Sequence, residues 1–559
     1  MKDKIYIKVC FLIFFVCGMY FSKDFGISWD EPFHRKGGKQ NLALIAKTLK
    51  IDKVLDIPQN IINPADSSKD IFGYGAAFDT ICFLIEKLFR IDDLKNIWLM
   101  RHKMNFLIYL IGAYLFFLFS KSIFKNQHFG FIASMFYLLH PRLLSHGFFN
   151  GKDSIAQALV ACSLFPLFLA YKNNNYKYII ISGAVIGLAI TTRIPIIYLP
   201  LLFITLLFFK KLILENGQKI NSKKIIFIFI LSNIFSSYLF WPIIWESPID
   251  NFILIFNKMK NHYWVGSNLY MGEYIKASEI PWHYTPIWIL ITTPISYLLF
   301  FIMGIIKTIF YQSRDNKQQI FFDIFMFFGF VGPLVSIAYL GSTLYDGWRQ
   351  TFFIYPFLCY YMALGFSWVY SILLKKFPLR LNLIIILLSV FTFIEPSMKI
   401  LYLHPHQNIY FNSLAGKDPM RNFEGDYWGN SMRQGIEWIL NNDKKDGKHE
   451  ITIASPYNGA KKNYGILTKE NRQRVMWIFL KSNNLDNYEA VPLAQNYNLN
   501  TLSGKQIKYP FDYFITNFRG DKENYLKSIS SNIYLDFNEV YNIKLNQMKI
   551  LSVYKKTID

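Results

Sequence analysis

IYIKVCFLIFFVCGMYFSKDFGISWDEPFHRKGG, residues 5–38, runs from an apolar segment straight into two acids, two bases and a histidine. Lys2, Lys4 and Lys8 precede the apolar part, and no small-residue cleavage motif follows it, so the expectation is an uncleaved first span over about residues 5–22. Asp30 and Glu31 cannot lie in the hydrocarbon core, where an acid near a helix centre costs about 2.5 to 3.5 kcal/mol. The basic N-terminus stays inside, and the dyad emerges at or beyond the outer interface.

Working outward, the same pattern repeats. The chain of 559 residues is 52% hydrophobic and 18% aromatic, with apolar residues massed in runs such as 225–240 and 383–394 rather than alternating as in a soluble protein. This makes it a polytopic membrane protein. Its net charge of +22 falls largely in short loops, at Lys210, Lys211, Lys219, Lys223 and Lys224 and at Lys375, Lys376 and Arg380. That is the positive-inside pattern on a Lys- and Asn-rich background, and no nucleic-acid partner is expected. Cys10, Cys17, Cys82, Cys162 and Cys359 are scattered and form neither a disulfide framework nor a zinc-ligand set.

Eleven crossings follow from hydropathy and basic loop ends, at about 5–22, 104–120, 129–140, 154–171, 178–192, a sixth ending at Lys210, then 225–241, 287–307, 321–340, 352–370 and 381–399. Two large outer loops result, 23–103 and 243–286. In the first, apolar residues from Phe78 to Phe89 recur at helical spacing, which predicts a helix on the membrane surface or packed on its neighbours. The chain divides into a membrane region, 1–400, and a soluble α/β domain, 401–559, on the outer side. In that tail a helix is expected over 427–440, strands over 450–455 and 511–516, and a closing hairpin over 540–554.

Sorted by predicted side, Asp30, Glu31, His34, Arg35, Arg142, His146, Lys152, Asp153, Arg193, His262, His283, Asp346 and Arg349 all fall at outer ends of spans or in outer loops, so one face holds the chemistry. Acids beside arginines at a membrane surface suit the binding of a lipid-linked sugar phosphate and the activation of an acceptor hydroxyl. Phosphate is a good leaving group and needs only cations; the hydroxyl needs a base within about 3 Å. Asp30 is the candidate base, with Glu31 binding acceptor or orienting the loop. Arg142, Lys152, Arg193 and Arg349 are candidates for the donor phosphate, with interfacial snorkelling the alternative for Arg193. His34, Asp153, His262, His283 and Asp346 are candidates for substrate or loop support. Asp153 also reads as a first-turn acid behind the cap Asn150, and the histidines as hydrogen-bonded structure. No metal or other cofactor is called for, although Asp30, Glu31 and a histidine could make up a divalent-metal set. A competing reading is a transporter or flippase of lipid-linked saccharides, which would share the bundle, the aromatics and the cations.

WDEPFH (29–34), PRLLSHGFFNGKD (141–153), YDGWRQTFFIYP (345–356), HPHQNIYFNSLAG (404–416) and FEGDYWG (423–429) together resemble bacterial membrane glycosyltransferases of the C superfamily. The similarity is to the branch of protein O-mannosyltransferases and lipid A aminoarabinose transferase. It implies an inverting hexosyl or pentosyl transferase in the bacterial inner membrane, with its active site and tail on the periplasmic side. The donor would be a polyprenyl-phosphate sugar and the acceptor a glycan, lipid or protein. By motif match the resemblance puts the catalytic acid on Asp30, its companion on Glu31, a basic and acidic pair on Arg142 and Asp153, and a phosphate contact on Arg349.

Overall fold

In a bilayer each backbone N–H and C=O has to be satisfied within the chain, so the apolar runs become helices. The computed structural model describes residues 4–51, 75–173, 175–208, 222–245, 247–260, 264, 266–311, 317–443, 450–455, 459–480, 488–491, 511–519, 537–545 and 547–557. The helices are α1 Ile5–Phe21, α2 Glu31–Thr48, α3 Ala77–Leu88, α4 Leu94–Ile123, α5 Gln127–Leu138, α6 Pro141–Phe149, α7 Asp153–Asn173, α8 Tyr176–Thr192, α9 Tyr198–Phe208 and α10 Ser222–Leu239. They continue with α11 Pro248–Lys260, α12 Tyr284–Thr292, α13 Ile295–Phe310, α14 Lys317–Leu340, α15 Tyr355–Lys376, α16 Leu381–Tyr402, α17 Met432–Asn442, α18 Gly459–Lys462 and α19 Lys469–Gln473.

Each expected span meets a helix, but among the described residues six segments are long and apolar enough to cross a membrane, or seven if α12 and α13 count as one. Those two meet at 119°. Pro294 stands at the break: it has no N–H to continue α12, and it opens α13 instead. Expected spans such as 178–192 and the sixth fall on shorter apolar helices, Tyr176–Thr192 and Ile194–Phe208. A second difference is at residues 94–103, expected in the outer loop, which form the first turns of α4. The Asp93 side chain accepts from Asn96 N–H and starts that helix early. Thirty residues span about 45 Å, more than the roughly 30 Å hydrocarbon layer, and the N-terminal half of α4 carries buried Arg101, His102 and Asn105.

The helix expected near Phe78 is α3, which buries Phe78, Cys82 and Phe83 and, beside them, Asp79 and Glu86, while Ile81, Leu88 and Phe89 are exposed. Buried Arg101 accounts for this, pairing with Asp79 and, at 3.4 Å, with Glu86, while Arg35 bonds Glu86 at 2.6 Å. In the second loop, Ser267–Tyr270 (β1) and Glu273–Lys276 (β2) form an antiparallel hairpin through Met271 and Gly272, both at positive φ, as a tight hairpin turn of this twist requires.

The tail contains a six-stranded mixed sheet. Its strands are β3 Ile451–Ser455, β4 Val475–Leu480, β5 Tyr488–Val491, β6 Tyr513–Thr516, β7 Phe537–Leu545 and β8 Met548–Lys556, in the order β5-β4-β3-β6-β8-β7. The two strands expected from sequence are adjacent and parallel, with Ile453 opposite Tyr513, and the closing hairpin is β7 with β8. Helix α17 packs Ile436 and Ile439 on Ile453, Ile515 and Val553. It starts at Met432 rather than 427 because the Asp426 carboxylate ties up the N–H groups of Gly429, Asn430 and Ser431 in a turn.

Candidate active site

The tail holds the WDEPFH segment from behind. The Asn463 carboxamide accepts from Ile27 N–H at 2.8 Å and donates to Ile27 O at 3.2 Å, and Arg433 donates to Phe25 O at 2.9 Å. The segment is thereby extended up to Trp29, whose N–H bonds Trp428 O at 3.1 Å. Pro32 in the first turn then starts α2, which puts Asp30 at its N-cap.

Arg349 is the centre of what Asp30 meets. One guanidinium nitrogen lies 3.1 Å from Asp30 Oδ2 and 3.4 Å from Asp153 Oδ2, and the other lies 3.1 Å from Asp346 Oδ2. The Arg349 guanidinium is 4.7 Å from the ring centroid of Trp428 and 4.9 Å from that of Tyr345, so aromatic faces occupy its flat sides. Arg193, in extended backbone at the end of α8, bonds the other oxygen of Asp153, its Nε at 2.6 Å. Arg519 of the tail bonds Asp346 Oδ1 at 2.7 Å. Three carboxylates and three arginines therefore alternate from the tail through Asp346, Arg349 and Asp153 to Arg193, with Asp30 branching from Arg349.

The acids differ in exposure. The Asp153 side chain is 0% exposed, Asp346 7% and Asp30 24%. Asp30 Oδ1 has no hydrogen bond among the described residues, so this oxygen faces outward while Oδ2 holds Arg349. Burial pushes the Asp30 carboxyl up, but Arg349, His34 and Lys152 outweigh it and hold it below the usual carboxylate range. Asp346 takes φ +59, next to Gly347 at +74, a backbone state uncommon for a side-chain-bearing residue. Asn268 holds it there, accepting from Asp346 N–H at 3.1 Å and donating to Leu344 O at 3.1 Å.

Asp153 serves as both a charge partner and a first-turn acid. Asn150 Oδ1 accepts from Asp153 N–H at 2.9 Å and from Lys152 N–H at 3.2 Å, and Asn150 Nδ2 donates to Asp153 Oδ2 at 3.0 Å. Lys152 and His34 line a hollow of about 20 Å³ with Asp79 and Phe78, room for one water. Burial and Arg193 together lower the Lys152 ammonium well below its usual range, and burial lowers the His34 imidazole.

Other candidates lie elsewhere. Glu31 turns away from Asp30, accepting from Ser28 N–H at 2.6 Å and lying 3.0 Å from His102 Nε2. It orients the loop from inside. Arg142 is buried and has no carboxylate partner among the described residues; it donates to Tyr410 O at 3.0 Å and lies 4.9 Å from the Phe411 ring and 5.4 Å from the Trp288 ring. His283 bonds Tyr270 OH at 2.6 Å in the second loop, and His262 falls outside the described residues. Among the described residues no group of three or more His, Cys, Asp or Glu is disposed to hold a metal ion.

Arg519 was not foreseen, and no local signal marks it, since 173 residues separate it from Asp346. Glu424, also unforeseen in this role, is inside the FEGDYWG motif. It is buried next to the Arg519 and Asp346 pair, and burial raises its carboxyl to about 8.

Residues 82–244 match the family model described as dolichyl-phosphate-mannose-protein mannosyltransferase, less than half of the chain. No curated protein matches it. Among solved structures it is similar to ArnT from Cupriavidus metallidurans in the apo state, at 10% identity and a TM-score of 0.46, covering 98% of this chain and 97% of that one. It is also similar to the Archaeoglobus fulgidus oligosaccharyltransferase in the apo form, at 10% identity and a TM-score of 0.46, covering 85% of this chain. The chain spans 65% of that protein's length. The matched segment contains α4 to α10 and, with them, Asp153 and Arg193 of the charge cluster.

Proposed function

We propose, with the family segment as premise, that this chain is an inverting glycosyltransferase. In this reading it moves a sugar from a polyprenyl-phosphate donor to a hydroxyl of a glycan, lipid or protein acceptor at the periplasmic face of the bacterial inner membrane. The observation that carries it is the asymmetry of the carboxylates: Asp30 alone among the three bound to Arg349 keeps a quarter of its side chain exposed and has one oxygen without a hydrogen bond among the described residues. Asp30 Oδ1 takes the acceptor proton as the acceptor oxygen attacks the anomeric carbon. The bond from that carbon to the phosphate oxygen breaks, and the electron pair leaves with the polyprenyl phosphate. A carboxylate already ionised by Arg349 is in the correct protonation state at neutral pH.

The cations have a second task. Arg349 and Arg193 are held by carboxylates before donor binds, so the donor phosphate enters by exchange, taking over guanidinium N–H groups as the carboxylates shift, with Lys152 at its side. Charge-assisted bonds of this type stabilise the leaving phosphate as its charge grows. The proposal calls on no metal or other cofactor.

The test is sugar transfer by the full chain in nanodiscs, offered a panel of polyprenyl-phosphate monosaccharides, with release of lipid phosphate followed for wild type and Asp30→Asn. Loss of a general base predicts a fall in kcat of about 10² to 10⁴. Equal release by both proteins would remove Asp30 from the mechanism. Movement of the lipid across vesicles without any release would decide for the transporter.

A further inference from the structure

Away from the arginine cluster, a cleft of about 470 Å³ opens between α13, α16 and the loop that follows α16. Its wall on α13 is Ile295 and Leu299, and its wall on α16 is Phe391, Glu395 and Lys399, with Lys417 at the rim. Ser296 Oγ donates to Thr392 O at 2.8 Å and ties the two helices together beside it.

The α16 wall has a polarity written in steps of four. Phe391, Glu395 and Lys399 line the cleft at steps of four, with Leu387 one step further along the helix, two apolar residues and then two charged ones. Leu387 and Phe391 are 58% and 57% exposed, and Leu299 and Ile302 of α13 are 44% and 50% exposed. An apolar trough therefore runs from the cleft along both helices, in a segment long and apolar enough to lie in a membrane.

The charged end is not self-neutralised. Glu395 accepts from Tyr410 OH at 3.1 Å, while neither Lys399 nor Lys417 makes an ion pair or side-chain hydrogen bond among the described residues. Among the residues that line the cleft, two ammonium groups stand against one carboxylate already engaged by Tyr410, with Asp418 next to Lys417 just outside the lining. The rim has room as well: at Gly416, with φ +87, an added Cβ would meet nothing within 4 Å.

We propose that this cleft binds an anionic phospholipid of the leaflet it faces, its phosphodiester between Lys399 and Lys417 and an acyl chain along Leu299 and Phe391. The inference stands apart from sugar transfer and uses none of the residues assigned to it. A free anion would use the lysines but not the trough; a zwitterionic lipid would use the trough but gain less from the lysines.

The experiment is native mass spectrometry of the full chain released from nanodiscs containing phosphatidylglycerol and phosphatidylcholine with identical acyl chains. Wild type is expected to retain phosphatidylglycerol over phosphatidylcholine. Lys399→Gln with Lys417→Gln should cut that retention roughly tenfold, about 1.4 kcal/mol. Leu299→Trp, a substitution at an exposed position, should reduce it by blocking the trough. Retention unchanged in both variants overturns the site. Displacement of the lipid by inorganic phosphate alone would overturn the lipid assignment in favour of a soluble anion, and equal retention of both lipids would overturn the role of charge.

Discussion

Replacing Arg349 by Met keeps much of its length and removes the charge that three carboxylates share. At an effective dielectric near 20, each contact of 3.1 to 3.4 Å is worth about 5 kcal/mol before desolvation, which takes back several kcal/mol for each buried ion. Removing one partner of a buried ion pair costs about 3 to 5 kcal/mol. The lower end applies here, because Asp153 keeps Arg193, Asp346 keeps Arg519, and Asp30 is 24% exposed and can take up water. Arg349→Met should therefore destabilise the protein by about 3 kcal/mol. Adding Asp346→Asn should cost less than it does in wild type, with a coupling of about 1 kcal/mol or more. Reversible unfolding in bicelles by titration with a denaturing detergent, followed by tryptophan fluorescence, measures all four corners of this cycle. A loss under about 0.5 kcal/mol for Arg349→Met, or strict additivity with Asp346→Asn, would refute the idea of an alternating charge cluster.

Further expectations follow from neighbouring residues. Because Arg349, His34 and Lys152 hold the Asp30 carboxyl below 3.8 despite its burial, its ionised form and the stability it contributes are full above that pH and fade only as pH falls through the lowered value. The acid limb of kcat/KM should lie below pH 3.8 in wild type and move up in Arg349→Met; a wild-type limb near neutrality would assign the base to another group. Burial and Arg193 lower the Lys152 ammonium, so its charge is lost as pH rises well before 10.5; Lys152→Arg should shift the basic limb of donor KM upward, and an unmoved limb would take Lys152 out of donor binding. Glu31→Gln weakens a buried charge-assisted bond and should cost about 1.5 to 3 kcal/mol in unfolding while lowering kcat far less than Asp30→Asn; the reverse ranking would make Glu31 the base. Gly38 of α2 lies against the Asp79 backbone of α3 too closely for a Cβ, so Gly38→Ala should cost about 1 to 3 kcal/mol, read in the same unfolding assay.

Where a feature was written in adjacent residues, it could be read directly. The apolar runs became helices, NGKD became a cap with an acid in the first turn of α7, and the strands and hairpin of the tail formed close to where alternation put them. Asp30 could be singled out because a D-E pair just past an apolar run has nowhere to go but the interface. That it keeps a free carboxylate oxygen while Glu31 turns inward was not written there, since the two differ only in what His102, Ser28 and Arg349 offer them. Arg142 and Arg349 looked alike in sequence; the fold gave one a carbonyl and two aromatic rings, and the other three acids. Nothing local to α3 shows that Asp79 and Glu86 are buried, since Arg101 reaches them from α4.

By itself, then, the sequence determined a mostly helical membrane chain, a sheet-containing tail and an acidic dyad just past the first apolar run, because hydropathy and helix starts act over a few neighbouring residues. Only the tertiary structure decided which spans are broken or short and which charges meet. Pairing in a low-dielectric interior depends on distance in space: Arg519 is 173 positions from Asp346 and Arg349 is 319 from Asp30, separations across which no local pattern carries.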